Sequence, residues 1–290
     1  QSFPIMINLA VDFWDRASAK NKYDSIKVPG YHIGGWYDGY RNSLPRMIEN
    51  VSAPVKAMIG PWDHDFPHNA ALKPQVEWRH EAVRWYDQWL KNEDTGILDE
   101  PKFSIYIRDY HPPDSSIEYI PGYWRWEDEW PAKDTNKQVW YAQDNHSLSS
   151  TRSIISEHSL KNIPSIGLEG GGPTMWWGSI PPDQAPMDKD SLVYDSDILT
   201  ETFEISGRPL AKLNVSADAI RANWVVRLSD IAPDGQVTQV VGAAFNGTHR
   251  NSARSPEDIV PGDKFPLEIE LHFTSWTFNK GHRIRIAVSN

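Results

Sequence analysis

The sequence predicts an α/β segment followed by an all-β sandwich. Three observations carry that expectation. Short apolar runs at 28–35 and 54–60 flank a stretch of helical pattern, the strand–helix–strand order that implies a right-handed crossover and a parallel sheet. After Gly96 the hydrophobic period changes to alternation in short segments, with no further helical pattern, as an antiparallel sandwich requires. Each early apolar run also ends in a loop holding one charge-handling residue, Asp38 and then His64.

Residues 1–25 carry Ile5, Ile7, Leu9, Val11, Phe13 and Trp14 and read as the end of a helical or cap segment. A loop from Asp24 leads into the first strand. The stretch 40–50 is helical in pattern, with Leu44, Met47 and Ile48 on one face and Pro45 as an interruption near its middle,. After the second strand, Pro74 opens the strongest helix, expected over 75–92. There Trp78, Ala82, Trp85 and Trp89 share one face, and Val83, Tyr86 and Leu90 widen the stripe. A stripe of this kind packs on a sheet far more often than it forms a ligand box. Beyond it, Phe103, Ile105 and Ile107 alternate, as do Val139 and Tyr141, Leu213 and Val215, Trp224, Val226 and Leu228, and Leu267, Ile269, Leu271 and Phe273,. Turn signals separate these strands at Pro112-Pro113, Gly170 to Pro173, Pro233 to Gly235 and Pro261 to Asp263,. The boundary between the two parts falls near 92–101.

The 290 residues suffice for two domains, and 39% hydrophobic with 23% charged content is ordinary for a globular protein,. Fourteen Trp are not, and they imply aromatic-rich cores or clefts,. Trp124, Trp126 and Trp130, with Trp176 and Trp177, fit a clamp between the two parts better than a sugar or aryl cleft. The net charge of −10 argues against a nucleic-acid partner,. No apolar run approaches the length of a membrane span. With no Cys in the chain, disulfides, Cys-ligated zinc and a Cys nucleophile are excluded within it, and either redox compartment fits,. No cofactor is called for. Small-molecule or short-peptide ester or amide substrates and a homo-oligomer are the partners expected.

Residues 34–40 read Gly-Gly-Trp-Tyr-Asp-Gly-Tyr and residues 60–64 read Gly-Pro-Trp-Asp-His. An Asp that precedes a His, each on a strand-end loop, matches the second and third members of a Ser…Asp…His triad. Spacing alone leaves the bland alternatives open: an Asp between strand and helix suits an N-cap, and a loop His suits a backbone hydrogen bond. Asp63, His64, Asp65 and His68 crowd together as a weak metal candidate, and His80-Glu81 begins a zincin motif that fails at Arg84,. The glycine run at 170–172 lacks the Lys-Ser/Thr of a phosphate loop,. A nucleophile elbow places Ser two residues after Gly, and no Ser in this chain does so,. Both ends of the chain look cut, and the nucleophile is expected upstream.

These segments resemble the CocE/NonD hydrolases, the superfamily of cocaine esterase, X-Pro dipeptidyl-peptidase and α-amino-acid ester hydrolases. Further along, Asp183-Gln184, Leu192 to Ser196, Leu199 to Glu201 and Ile205 to Gly207 are similar to that family. So are Arg227-Leu228 with Asp230, Pro233 to Gly235, and Thr274-Ser275 through Gly281 to Ile284. The resemblance covers residues 23–290. It implies the C-terminal portion of an α/β-hydrolase domain followed by a jelly-roll β-sandwich, galactose-binding-like and truncated at its end. The expected divisions are 1–25 as cap, 26–98 as α/β domain and 99–290 as jelly roll. It further implies a serine hydrolase of esters or amides, with Asp38 and His64 catalytic and Trp36, Tyr37 and Trp62 as candidate substrate contacts. Asp63 departs from the family, where that position is usually small and polar. The competing function is a non-catalytic carbohydrate-binding or assembly module.

Overall fold

The computed structural model describes residues 16–20, 22–161 and 180–290. Residues 1–15 and 21 of the cap segment expected over 1–25, the glycine run at 170–172 and Trp176 and Trp177 lie outside them.

The α/β part is built on β1 (Gly30–Gly35) and β2 (Val55–Gly60), joined through α1 (Ser43–Asn50). The two strands pair in parallel with Gly35 opposite Gly60. Helix α1 starts later than its pattern suggests, and Pro45 falls in its first turn. There the missing N–H has no intrahelical partner to lose, so Pro45 begins the helix instead of interrupting it. The next helix, α2 (Arg79–Tyr86), is shorter than expected. Residues 75–77 are held outside it, because Val76 N–H donates to Pro67 O (3.1 Å) and the Gln75 side chain to Ala70 O (3.0 Å). A π-helical turn, Asp87–Lys91, follows and ends at Asn92, whose left-handed φ of 59° Asn tolerates,. Trp85 is buried against Tyr31, but Val83, Tyr86 and Leu90 stay exposed and do not widen a buried stripe.

Two further strands complete this sheet. β3 (Phe103–Arg108) was expected to open the sandwich, yet it pairs in parallel with β2, and β4 (Gly122–Glu127) pairs antiparallel with β3. The sheet order is β1-β2-β3-β4. Alternation alone specifies a half-buried strand, not its partner, and β3 finds β2 because Ala57 N–H donates to Lys102 O (2.8 Å) just ahead of it,.

After the short pair β5 (Tyr141–Ala142) and β6 (Leu148–Ser149) and helix α3 (Ala185–Asp188) come β7 (Leu192–Asp195), β8 (Phe203–Gly207) and β9 (Leu210–Val215). They are followed by β10 (Asn223–Ile231), β11 (Val237–Asn246), β12 (Phe265–Glu270), β13 (Thr274–Phe278) and β14 (Arg283–Ser289). A four-stranded antiparallel sheet, β11-β10-β14-β7, faces the pairs β12-β9 and β13-β8. One core joins the layers through Tyr194, Trp224, Val226, Leu267, Ile269, Trp276 and Phe278. Arg227, fully enclosed, pairs with Asp188 at 2.9 Å, and Asp188 also holds Arg285 at 2.9 Å. These charges are compensated, which is what keeps them inside.

The two parts interlock. Phe273, which precedes β13, is buried in the α/β core against Trp36 (4.9 Å between centroids) and Trp130 (5.2 Å). In the other direction Arg108 at the end of β3 enters the sandwich, donating to Ser275 O (3.1 Å) and Thr274 Oγ1 (2.6 Å). Trp130 spans the seam, donating to Glu49 and packing on Phe273, whereas Trp124 packs on Trp62 and Tyr106 within the α/β part and Trp126 is exposed. Near the seam, His111 donates through Nδ1 to Pro112 O (2.9 Å) and faces the Tyr37 hydroxyl at Nε2 (3.4 Å).

Burial, reinforced by the Arg108 charge, pushes His111 down to about 4. The unfolded chain, near 6.5, therefore binds this proton first, so stability is whole above pH 6.5 and falls as pH drops toward 4. Between pH 7 and 5 the loss from this group is on the order of 2 kcal/mol. Urea titrations at both pH values should show a smaller drop in His111→Gln than in the parent chain.

Candidate active site

The site forms where two parallel strands end. Past β1 and β2 the ladder continues into the loops: Trp36 N–H donates to Gly60 O (2.9 Å) and Tyr37 N–H to Trp62 O (3.0 Å). This close approach depends on Gly35. A Cβ there would sit 2.1 Å from Trp62 O, a backbone atom with no room to move. The chain then turns, Asp38 N–H donating to Gly35 O (3.2 Å), and the loop after β1 meets the loop after β2 at their tips.

At that meeting point Asp38 Oδ2 lies 2.9 Å from His64 Nδ1. The other carboxylate oxygen accepts the Tyr40 N–H at 2.8 Å, so both oxygens are held. Asp38 thus makes a local turn with Tyr40 and does not cap α1, whose N-cap is Asn42,. The Asp38 side chain is 12% exposed and that of His64 43%. The carboxylate is sheltered and the imidazole accessible, with the Tyr40 ring 5.5 Å from it.

Behind the pair stand two cations that sequence reading did not single out. Arg41, buried, donates to Trp36 O at 2.8 Å. Burial and then the nearby Arg108 charge push its guanidinium down to about 10, against the pull of Tyr37 and Asp38. Arg108 sits over the rings of Trp36, Tyr37 and Trp276 at 5.3–5.5 Å. Nothing in the alternating pattern of β3 marks Arg108 as buried, since its hydrogen-bond partners lie more than 100 residues away.

Asp38 and His64 are brought together; the other expected site residues are not. Trp36, Tyr37 and Trp62 are buried and serve packing. The Trp36 indole donates to Tyr106 O (2.6 Å) and that of Trp62 to Pro74 O (2.8 Å), anchoring the loops from beneath. Asp63 has one carboxylate oxygen buried without a hydrogen-bond partner, and burial raises its pKa, with Asp65 and Asp38 adding to the effect. Among the described residues no group of three His, Asp or Glu is placed to hold a metal. Arg84 is committed to Glu81 and Glu100.

A second Asp–His pair shows what distinguishes the first. Asp230 Oδ1 lies 2.8 Å from His282 Nδ1, closer than the first pair, and Asp230 Oδ2 accepts the Trp276 N–H. Yet these side chains are 0% and 8% exposed, with Tyr110 packed 4.5 Å from His282. Burial raises the Asp230 pKa, opposed by its bonds to Trp276 and His282. This pair cross-links the sandwich; only the first presents an imidazole to solvent.

Sequence comparison assigns the chain as a whole. Residues 95–290 match the X-Pro dipeptidyl-peptidase C-terminal non-catalytic domain, and residues 8–65 match X-Pro dipeptidyl-peptidase of the S15 family. The chain belongs to the CocE/NonD hydrolase superfamily. Cocaine esterase of Rhodococcus sp. (strain MB1 Bresler) is 25% identical over 307 residues, covering 96% of this chain and 51% of that protein. An aminopeptidase from a marine-sediment Thaumarchaeota archaeon superposes with a TM-score of 0.70 at 22% identity, over 97% of this chain and 53% of that one. A CocE/NonD family hydrolase of Staphylococcus aureus does so with a TM-score of 0.71 at 16% identity, over 97% and 49%. The superpositions establish the shared fold. The chain spans about half the length of the curated relatives it matches.

Gly35→Ala should force the Trp62 carbonyl away and break the loop-to-loop bonds. The expected cost is about 1–3 kcal/mol, with the Asp38–His64 contact loosened. Thermal melts and the nitrogen shifts of His64 check this: the parent should hold the Nδ1–H tautomer, and the variant should mix tautomers.

Proposed function

We propose that Asp38 and His64 are the orienting carboxylate and the general base of a Ser–His–Asp triad in an ester or amide hydrolase, whose nucleophilic Ser is supplied by sequence outside this chain. One observation carries the reading: a sheltered carboxylate bonded at 2.9 Å to Nδ1 of an accessible imidazole, at the C-terminal ends of adjacent parallel strands. Membership of a hydrolase superfamily supports it.

The chemistry follows from that geometry. Asp38 holds the proton on Nδ1, which leaves Nε2 as the basic nitrogen. Nε2 takes the hydroxyl proton of Ser as its oxygen bonds to the substrate carbonyl carbon, and the charge formed on the ring is stabilised by Asp38. The same proton then passes to the leaving oxygen or nitrogen as the acyl–enzyme forms, and water repeats the cycle. The sheltering of Asp38 keeps its charge from being screened by water, while Tyr40 N–H fixes its rotamer,.

In this reading residues 1–25 are the end of a cap, the α/β-hydrolase domain that begins at 26 runs past 98 through β3 and β4, and the strands after β4 form a jelly roll of galactose-binding type. The two-layer core of β7 to β14 supports the sandwich, and the family match from residue 95 covers it together with β3 and β4. Among the described residues the sandwich contributes no reacting group, and it braces the loop that carries Asp38. Substrates are esters or amides, including X-Pro peptides, in keeping with relatives named as an esterase and an aminopeptidase.

Residues 1–290 alone should therefore show no hydrolysis of a fluorogenic ester or an X-Pro amide above background. In a polypeptide extended upstream through an elbow Ser, His64→Ala should lower kcat by about 10⁴–10⁶ and Asp38→Asn by about 10⁴, both folded by circular dichroism. Turnover by the short chain that survives His64→Ala would reject the assignment.

A further inference from the structure

Two residues past His64, on the same loop, Phe66 is 59% exposed. Chain geometry keeps its Cα within about 7.6 Å of that of His64. The ring is not loose. It stacks flat on Trp78, with centroids 5.5 Å apart and planes within 5°. Trp78 is fixed in turn by donating its indole N–H to His68 Nδ1 at 3.0 Å. The loop closes beneath, Asn69 and Ala70 N–H both donating to Phe66 O at 2.8 and 3.0 Å. A braced apolar ring therefore lies two residues along the loop from an accessible imidazole, its own ring contacts being with Trp78 and His68. Leaving such a ring partly in water forgoes burial that a planar ligand can recover.

With Nδ1 taken by Asp38, proton transfer passes through Nε2, and the atom that receives that proton belongs to the leaving group,. We propose that Phe66, backed by Trp78, is a stacking platform for a planar apolar leaving group of the substrate. This rests on the hydrolase reading above. In the acylation step the nucleophile oxygen bonds to the carbonyl carbon. The bond from that carbon to the leaving oxygen breaks, and the proton first taken by Nε2 goes to the departing oxygen. The planar ring carried by that oxygen then lies against Phe66.

The test uses the full-length enzyme carrying this chain and three esters: benzyl acetate, ethyl acetate and ethyl benzoate. Benzyl and ethyl alcohols leave with similar basicity, so their difference reports contact with the ring. Phe66→Ala and Phe66→Leu should each lower kcat/KM for benzyl acetate about five- to tenfold, while both ethyl esters change less than twofold. Phe66→Trp should restore the benzyl ester. Equal loss on all three esters, loss confined to ethyl benzoate, no loss at all, or no turnover of benzyl acetate by the parent would each overturn the platform. His64→Ala separates the two readings. Turnover that survives it removes the hydrolase assignment. Turnover that is abolished, without selective loss in the Phe66 variants, removes the platform alone.

Discussion

Arg108 is the cation on which both parts of this structure converge. It is buried and has no ion pair among the described residues, an arrangement that would be costly if nothing replaced its water,. Its replacements come from both sides of the seam. The sandwich supplies Ser275 O, Val240 O, Thr274 Oγ1 and the Trp276 ring; the α/β part supplies the rings of Trp36 and Tyr37. Desolvated cation–π contacts of this kind contribute up to about 2 kcal/mol, and the set is complete only when both parts are docked. Trp36 and Tyr37 immediately precede Asp38. The non-catalytic sandwich thereby sets the position of the loop that holds the carboxylate, with Phe273 plugging the same α/β core from the opposite direction.

The pair itself depends on backbone, not on side-chain attraction. Parallel pairing of β1 and β2 aligns Gly35 with Gly60, and the two loop bonds past them extend that alignment by a further turn. Only a residue without Cβ lets the first loop pass the Trp62 carbonyl. An exposed Asp–His contact alone would be worth little in stability. Comparison with Asp230–His282 makes the point from the other side: a shorter, better-sheltered pair lies in the same chain, and its enclosure makes it a cross-link.

Much of this was legible in the sequence. Asp38 and His64 stood out because each follows an apolar run that had to be a strand, and parallel strands bring their C-terminal loops together,. The change of period after Gly96 announced the sandwich. What stayed hidden was every feature whose partner is distant. The alternation of Phe103, Ile105 and Ile107 made 103–108 a strand but could not say that it lies beside β2. The same alternation would leave Arg108 facing outward, whereas it is enclosed by residues from β11 and β13. The aromatic stripe starting at Trp78 suggested a helix from 75, yet Trp78 stops short of it to stack on Phe66. Trp36, Tyr37 and Trp62 sit beside Asp38 and His64 in sequence and so invited a substrate role, but burial makes them the floor under the loops. Periodicity reports which side of an element is apolar; it does not report what arrives to cover it.

Active-site labelling tests the triad assignment most directly. A fluorophosphonate reacts with a serine hydroxyl only when an adjacent base has activated it. Treated with such a reagent and digested for mass spectrometry, the longer polypeptide should carry one phosphonylated Ser outside residues 1–290, and His64→Ala should abolish the adduct. An adduct on a Ser within residues 1–290, or labelling undiminished by His64→Ala, would contradict it.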